Sequence, residues 1–150
     1  MELLIRRFEN KDLEPLHALL SDEEVMRCLE PPFDLEQTSQ FLRSAGLSEP
    51  PLIYAVEDAA GAFVGYVIYH DYDPDSQEIG WVLKREAWGK GYAEALTEQL
   101  IRRARSENKA ATIECAPEQT VSKHIAEKYG FQYTGRREGC DVYRLDAQRQ

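Results

Sequence analysis

The chain has little that could staple it together. Its three cysteines, Cys28, Cys115 and Cys140, are odd in number and far apart, which leaves neither a disulfide framework nor a zinc knuckle. The three histidines, His17, His70 and His124, show no i,i+4 pairing, so they read as satisfied or solvated side chains and no metal is expected. Long apolar runs are missing as well. The charge-free stretch near the middle, Ala59 to His70, falls short of the ~18 apolar residues of a membrane span. The start, Met-Glu-Leu-Leu-Ile-Arg-Arg, has no basic segment followed by an apolar run and a small-residue cleavage site. Positive charge is scarce, with 18 bases against 27 acids and a net charge of −9. That balance excludes a general nucleic-acid binder, because phosphate neutralisation needs clustered Lys and Arg. What remains is an expected soluble, cytoplasmic chain with no nucleic-acid or membrane partner, forming one domain over 1–150. A chain of this size buries roughly 70% of its unfolded surface, and 43% hydrophobic residues is too many for disorder.

The negative charge is uneven. Between Ser44 and Leu83 there is no Lys or Arg, but there are seven acids: Glu49, Glu57, Asp58, Asp71, Asp73, Asp75 and Glu78. From Lys84 to Lys109 there are seven bases against four acids. An acidic middle therefore abuts a basic segment, and most of these side chains read as solvated faces.

Periodicity orders the elements. Residues 2–8 predict a strand, and Asn10 can cap a helix carrying Leu13, Leu16, Leu19 and Leu20. A short helix over Asp22 to Leu29 stops at Pro31-Pro32, and Asp34 with Gln37 resembles a capping box opening another. Leu52–Glu57, Ala62–His70 and Gln77–Leu83 read as strands, joined by a turn at Ala60-Gly61 and a longer polar turn over Asp71 to Ser76. After Gly91 comes an amphipathic helix with Ala95, Leu96, Leu100, Ile101 and Ala104 on one stripe. A strand over Ala111–Cys115, a helix over Gln119–Tyr129 ending at Gly130, and strands over Phe131–Arg136 and Cys140–Leu145 complete the chain. The expected fold is α/β (α+β): a mixed, mostly antiparallel sheet of about seven strands flanked by about four helices, in the order β-α-α-β-β-β-α-β-α-β-β.

The informative stretch is the strand Glu78–Leu83, the loop Lys84–Gly91 and the helix that follows. Several N–H groups converge there beside the positive end of a helix dipole, and Gly89 and Gly91 remove side chains that would fend off an anion. Lys90 and Arg85 add positive charge, so the loop reads as a phosphate or pyrophosphate cradle. A Walker loop is excluded, since no Gly-Lys-Ser/Thr ending is present. A dinucleotide fingerprint fits poorly, because Glu94 stands where its third Gly belongs, although an acid does follow at Glu114.

The run Trp88-Gly89-Lys90-Gly91-Tyr92-Ala93, after a strand containing Glu78-Ile79-Gly80, resembles the acetyl-CoA pyrophosphate loop of the GNAT N-acetyltransferase superfamily. Ser122 and the run Glu127-Lys128-Tyr129-Gly130-Phe131 are similar to the branch containing the Rim-type acetyltransferases of ribosomal-protein N-termini. The likeness covers essentially the whole chain. There are departures: Glu86 stands where the loop often begins with Gln or Arg, Gln119 where the branch has Asn, and Ala126 where many members carry a general-acid Tyr.

The resemblance implies a GNAT-like fold and transfer of the acetyl group of acetyl-CoA, the co-substrate, to a primary amine on a small molecule or peptide. It implies that the fourth and fifth strands splay to admit the pantetheine arm. Val82, Leu83 and Lys84 would bind that arm, Trp88, Gly89, Lys90, Gly91, Tyr92 and Ala93 would hold the pyrophosphate, and Gln119 and Ser122 would complete the cofactor site. Glu78 is the candidate base and Ser122 the candidate proton donor to the leaving thiolate. Tyr54, Tyr66, Tyr69, Tyr72 and Trp81 are read first as core. The acid-only stretch suggests a cationic acceptor: a polyamine, an aminoglycoside-like amine or a protein N-terminus. The alternative is a catalytically idle acetyl-CoA-binding sensory domain, with a nicotinamide-dependent reductase a distant third. A monomer or a homodimer is compatible with the sequence.

Overall fold

A computed structural model describes residues 2–147. The first strand, β1 (Leu4–Arg6), is shorter than its alternating pattern predicts. Asn10 does not cap the next helix. A 3-10 turn over Asn10–Asp12 intervenes, in which the Glu9 N–H donates to the Asp12 carboxylate at 2.8 Å. Asp12 in turn holds the Arg6 guanidinium in a two-pronged ion pair, with both N–O distances 2.9 Å. Helix α1 (Leu13–Leu20) buries Leu16, Leu19 and Leu20. All three helical segments read between the first two strands are present, so the expected order β-α-α-β undercounts them by one. The second, α2 (Glu23–Met26), is shorter than expected and is capped by the Asp22 carboxylate, which accepts from the N–H groups of Glu24 and Val25. The third, α3 (Leu35–Phe41), carries the anticipated box: Gln37 N–H to Asp34 Oδ1 and Asp34 N–H to Gln37 Oε1, both 2.8 Å.

Strands β2 (Ile53–Glu57), β3 (Phe63–Asp73) and β4 (Ser76–Leu83) form an antiparallel meander. β3 runs three residues past its expected end at His70, so the polar turn shrinks to Pro74-Asp75. Helix α4 (Tyr92–Ser106) crosses to β5 (Ala110–Cys115), α5 (Thr120–Lys128) follows, and β6 (Gln132–Arg137) and β7 (Cys140–Leu145) close the chain. The sheet order is β1-β2-β3-β4-β5-β7-β6, with β4 and β5 the parallel neighbours.

Two apolar clusters sandwich the sheet. On one face Leu96, Leu100, Ile101 and Ala104 of α4 and Ala126 of α5 pack on Val67, Ile79 and Ile113. On the other, Leu16, Leu19 and Leu20 of α1 pack with Phe8 on Ile53, Ala55, Tyr66 and Val82. This second cluster draws on β2, β3 and the end of β4, and on no residue of β5, β6 or β7. Among the described residues, the face carrying one end of β3 and β4 and all of β5 and β7 is therefore left without a helix. Truncating a core side chain such as Leu100 costs about 2–5 kcal/mol in folds of this kind.

Candidate active site

β4 and β5 pair over only three residues: Ser76 with Ala110, Gln77 with Ala111, and Glu78 with Thr112. Beyond Glu78 they separate, so the expected splay is present. A cavity of about 590 Å³ opens at this point. Val25 and Leu29 line it from the α2 side, Trp81 and Leu83 from β4, Ala93 from α4 and Ser122 from α5. Since α2 belongs to one face of the sheet and α4 and α5 to the other, the cavity passes through the sheet at the gap.

Pleating decides which backbone groups face that gap. The Lys84 N–H donates to the Val64 carbonyl of the β3 side at 2.9 Å. By alternation Val82 also turns its polar groups to β3, while those of Trp81 and Leu83 turn toward the gap. The Leu83 carbonyl is already engaged, accepting from the Trp88 indole N–H at 2.9 Å. Trp88 thus ties the loop back onto the strand. Gly89 and Gly91 have φ of +76° and +80°, left-handed values that favour glycine, and Gly91 is the residue from which α4 starts. The first i→i−4 bond of α4 runs from the Ala95 N–H to the Gly91 carbonyl at 3.1 Å. The N–H groups of Tyr92, Ala93 and Glu94 precede it and lie at the positive end of a 15-residue helix. Chemically this is an anion-binding turn.

The side-chain charges are arranged differently from the expectation. Arg85 is spent on Asp22, with its Nε 2.8 Å from the carboxylate, and so latches the loop to the cap of α2. Glu94 is neutralised by Lys128 at 2.9 Å, and Lys90 is exposed, between the cavity-lining Gly89 and Gly91 in the chain. Gln119 braces the turn before α5 by accepting from the Ala116 N–H at 2.7 Å. Gln119 and Ser122 both line the cavity. Ala126 is fully buried in the core, and the Tyr129 hydroxyl donates to Glu98 at 2.6 Å, so no tyrosine of α5 takes the missing position.

Glu78 is not among the cavity-lining residues. It sits at the closed end of the gap, paired across β3–β4 with His70, whose Nε2 lies 3.5 Å from Glu78 Oε1. Burial pushes the Glu78 carboxyl above its ordinary range, His70 opposes the rise, and the Glu114 carboxylate adds to it. Glu114 accepts from the Tyr72 hydroxyl at 2.6 Å, and that hydroxyl accepts from Arg137 at 3.2 Å. These neighbours escape a linear reading. Taking Asp71–Ser76 as a long turn ends β3 at His70 and hides its partner. A two-residue turn at Pro74-Asp75 alone sets His70 opposite Ile79; the bulge between Asp71 and Asp73 shifts the register by one residue and brings it opposite Glu78. Of the aromatic group, Tyr54, Tyr66 and Tyr69 are buried, while Trp81 reaches the cavity and Tyr72 reaches Glu114.

The fold and the loop agree with the comparisons to known proteins. The family described as Acetyltransferase (GNAT) domain matches residues 2–132. A Bacillus subtilis protein named "Uncharacterized N-acetyltransferase YnaD" is 30% identical over 144 residues, covering 91% of this chain and 81% of its own. A GNAT-family acetyltransferase structure from Bacillus anthracis is 28% identical, with a TM-score of 0.81 over 96% of this chain and 93% of that one. The Vibrio cholerae spermidine N-acetyltransferase, solved with CoA and spermine, has a TM-score of 0.77 at 23% identity, covering 95% and 92% of the two chains. At that identity it speaks for the fold alone. The finer likeness to the Rim-type branch rests on Ser122 and the Glu127–Phe131 run. With a matching domain over most of its length, a 30% identical relative and the splayed fourth and fifth strands, the chain belongs to the GNAT family of acetyltransferases.

Proposed function

We propose that this chain, acting as one domain over 1–150, transfers the acetyl group of acetyl-CoA to a primary amine. The observation that carries the reading is the cavity passing through the gap between β4 and β5, with the start of α4 beside it. The fit is good on two counts. A gap-facing strand edge at Trp81 and Leu83 suits an extended amide-bearing arm, and the free N–H groups at Tyr92, Ala93 and Glu94 suit a pyrophosphate. Trp88, Gly89, Lys90, Gly91, Tyr92 and Ala93 would hold that pyrophosphate, with Gln119 and Ser122 across the cavity. Acetyl-CoA supplies an activated acyl group as its thioester. Glu78 takes the proton that an acceptor ammonium must lose, a task suited to a carboxyl whose affinity for protons is raised by burial. Ser122 faces the cavity from the first turn of α5 and serves the leaving sulfur.

The acceptor is an amine drawn by the carboxylates of Glu78 and Glu114 on the sheet face without a helix, not by the acid-only stretch as a whole. Glu49, Glu57 and Asp73 of that stretch are each paired with an arginine: Arg7, Arg6 and Arg144. A local pair of acids favours a cationic acceptor such as a polyamine or a peptide N-terminus. The test is free CoA release from acetyl-CoA across a panel of cationic, neutral and acidic amines, alongside calorimetry of CoA binding. Release that favours cations at low salt and loses this preference at high salt is the expected result. Tight CoA binding without release from any amine would favour the idle, sensory reading.

A further inference from the structure

The sheet face left without a helix gathers titratable side chains from five strands. β3 supplies His70 and Tyr72, β4 supplies Glu78, β5 supplies Glu114 and β7 supplies Cys140, while Arg137 reaches in from the end of β6. Most of this group is accounted for. Glu114 is oriented by Tyr72, and Tyr72 by Arg137, whose guanidinium also lies over the Tyr72 ring. His70 was set aside in the sequence as a solvated histidine at a strand end. In the fold it has two defined neighbours, one for each ring nitrogen.

The Asp71 neighbour selects the tautomer of the neutral ring. Nδ1 lies 3.0 Å from the Asp71 carbonyl oxygen. A carbonyl oxygen only accepts, so Nδ1 carries the hydrogen. In the neutral ring Nε2 is then a bare lone pair, and it is this nitrogen that stands 3.5 Å from Glu78 Oε1. The spacing closes to a hydrogen bond when a proton lies between the two atoms. A base that gains a proton from each acceptor must also shed it once per turnover, while the acceptor itself sits in front of the carboxyl. A partly exposed imidazole behind that carboxyl offers a second way out.

We propose that His70 carries to solvent the proton that Glu78 takes from the acceptor ammonium. The inference rests on Glu78 being the base. In the first step an N–H bond of the ammonium breaks and an O–H bond forms on Glu78, leaving a neutral amine. In the second that O–H bond breaks and an N–H bond forms at His70 Nε2, giving an imidazolium and restoring the carboxylate. In the third the imidazolium loses a proton to water. One proton moves throughout and nothing is oxidised or reduced. Imidazole suits the last step because it exchanges protons readily with water near neutral pH.

The experiment uses His70→Ala, His70→Gln and Glu78→Gln with acetyl-CoA and the best amine from the panel, at saturating substrate and with imidazole titrated in. His70→Ala is expected to lower kcat by about tenfold with the KM for acetyl-CoA unchanged, and added imidazole is expected to restore it. His70→Gln, which fills the space without a titratable ring, is expected to lose the same factor and carries the test if the alanine variant folds poorly. Glu78→Gln is expected to lose activity that imidazole does not restore. If His70→Ala or His70→Gln keeps kcat within about twofold, or imidazole fails to rescue His70→Ala, the relay is overturned while the reading of Glu78 stands. If Glu78→Gln itself keeps kcat within about twofold, the base and the relay fall together.

Discussion

The two ends of the gap between β4 and β5 are built from different materials. At the open end the loop from Lys84 to Ala93 offers backbone: N–H groups ahead of the Ala95-to-Gly91 bond, two glycines at left-handed φ, and one indole tying the loop to the Leu83 carbonyl. At the closed end the chemistry is all side chain, with His70, Tyr72, Glu78 and Glu114 delivered by three strands. A backbone site tolerates wide changes of neighbouring side chains as long as the turn is kept. A side-chain site depends on strand register, because a slip of one residue turns every member to the opposite face.

Variants can separate the two ends. The largest effect is expected at the closed end: Glu78→Gln should lower kcat by about 10²-fold or more while the KM for acetyl-CoA stays within about twofold. The wild-type acid limb of kcat/KM should lie above the ordinary carboxylate range, because burial raises the Glu78 carboxyl, and it should vanish in the variant. Next comes Gly65→Ala, which should damage both ends at once. Gly65 has φ +153°, and an added Cβ would stand 2.1 Å from the Val82 carbonyl oxygen and 2.9 Å from Leu83 Cα. Neither backbone atom can give way without moving the strand that lines the gap. A loss of about 3 kcal/mol of unfolding free energy in urea is expected, with CoA binding weakened too.

Gly91→Ala should act on the open end alone. Its left-handed backbone costs an L-residue roughly 1–2 kcal/mol, so the KM for acetyl-CoA should rise about tenfold with kcat held. The smallest effect belongs to neither end. Burial works to raise the Asp12 carboxyl, but the Arg6 guanidinium and the Glu9 N–H outweigh it and hold it below the ordinary range. A carboxyl depressed in the folded state stabilises above its unfolded value, about 3.9, and that stability is lost as pH falls through the folded value. Urea midpoints between pH 7 and pH 3 should therefore fall less steeply in Asp12→Asn than in the wild type, with activity at pH 7 per folded molecule unchanged.

How much of this was legible in the sequence follows the same division. The cradle could be read from Trp88 to Ala93 because it is made by residues adjacent in the chain. The Asp34–Gln37 box and the stop at Gly130 were equally local, and both are present. The start of α1 was misread because Asp12, buried against Arg6, replaces Asn10 as the organising residue, and Arg6 lies on a separate strand. The sequence names Glu78 without its partner, since the pairing with His70 depends on a two-residue turn at Pro74-Asp75 together with a bulge between Asp71 and Asp73. The wall that α2 gives the cavity left no mark in the sequence beyond a short helix before Pro31-Pro32.

The chain's charge shows where sequence ends and tertiary structure begins. By itself the sequence determined most of the order of elements, a glycine-bearing loop that opens directly onto a helix N-terminus, and a sharp change from acids to bases at Leu83 and Lys84. Only the fold decided what those charges do. It set Arg6 on Glu57, Arg7 on Glu49, Arg144 on Asp73 and Arg85 on Asp22, cancelling much of the contrast. It left Glu78 and Glu114 close together on the sheet face without a helix, with His70 beside Glu78. Local geometry is encoded by neighbours in the chain, but pairing between charges is settled by which strands lie side by side and in what register.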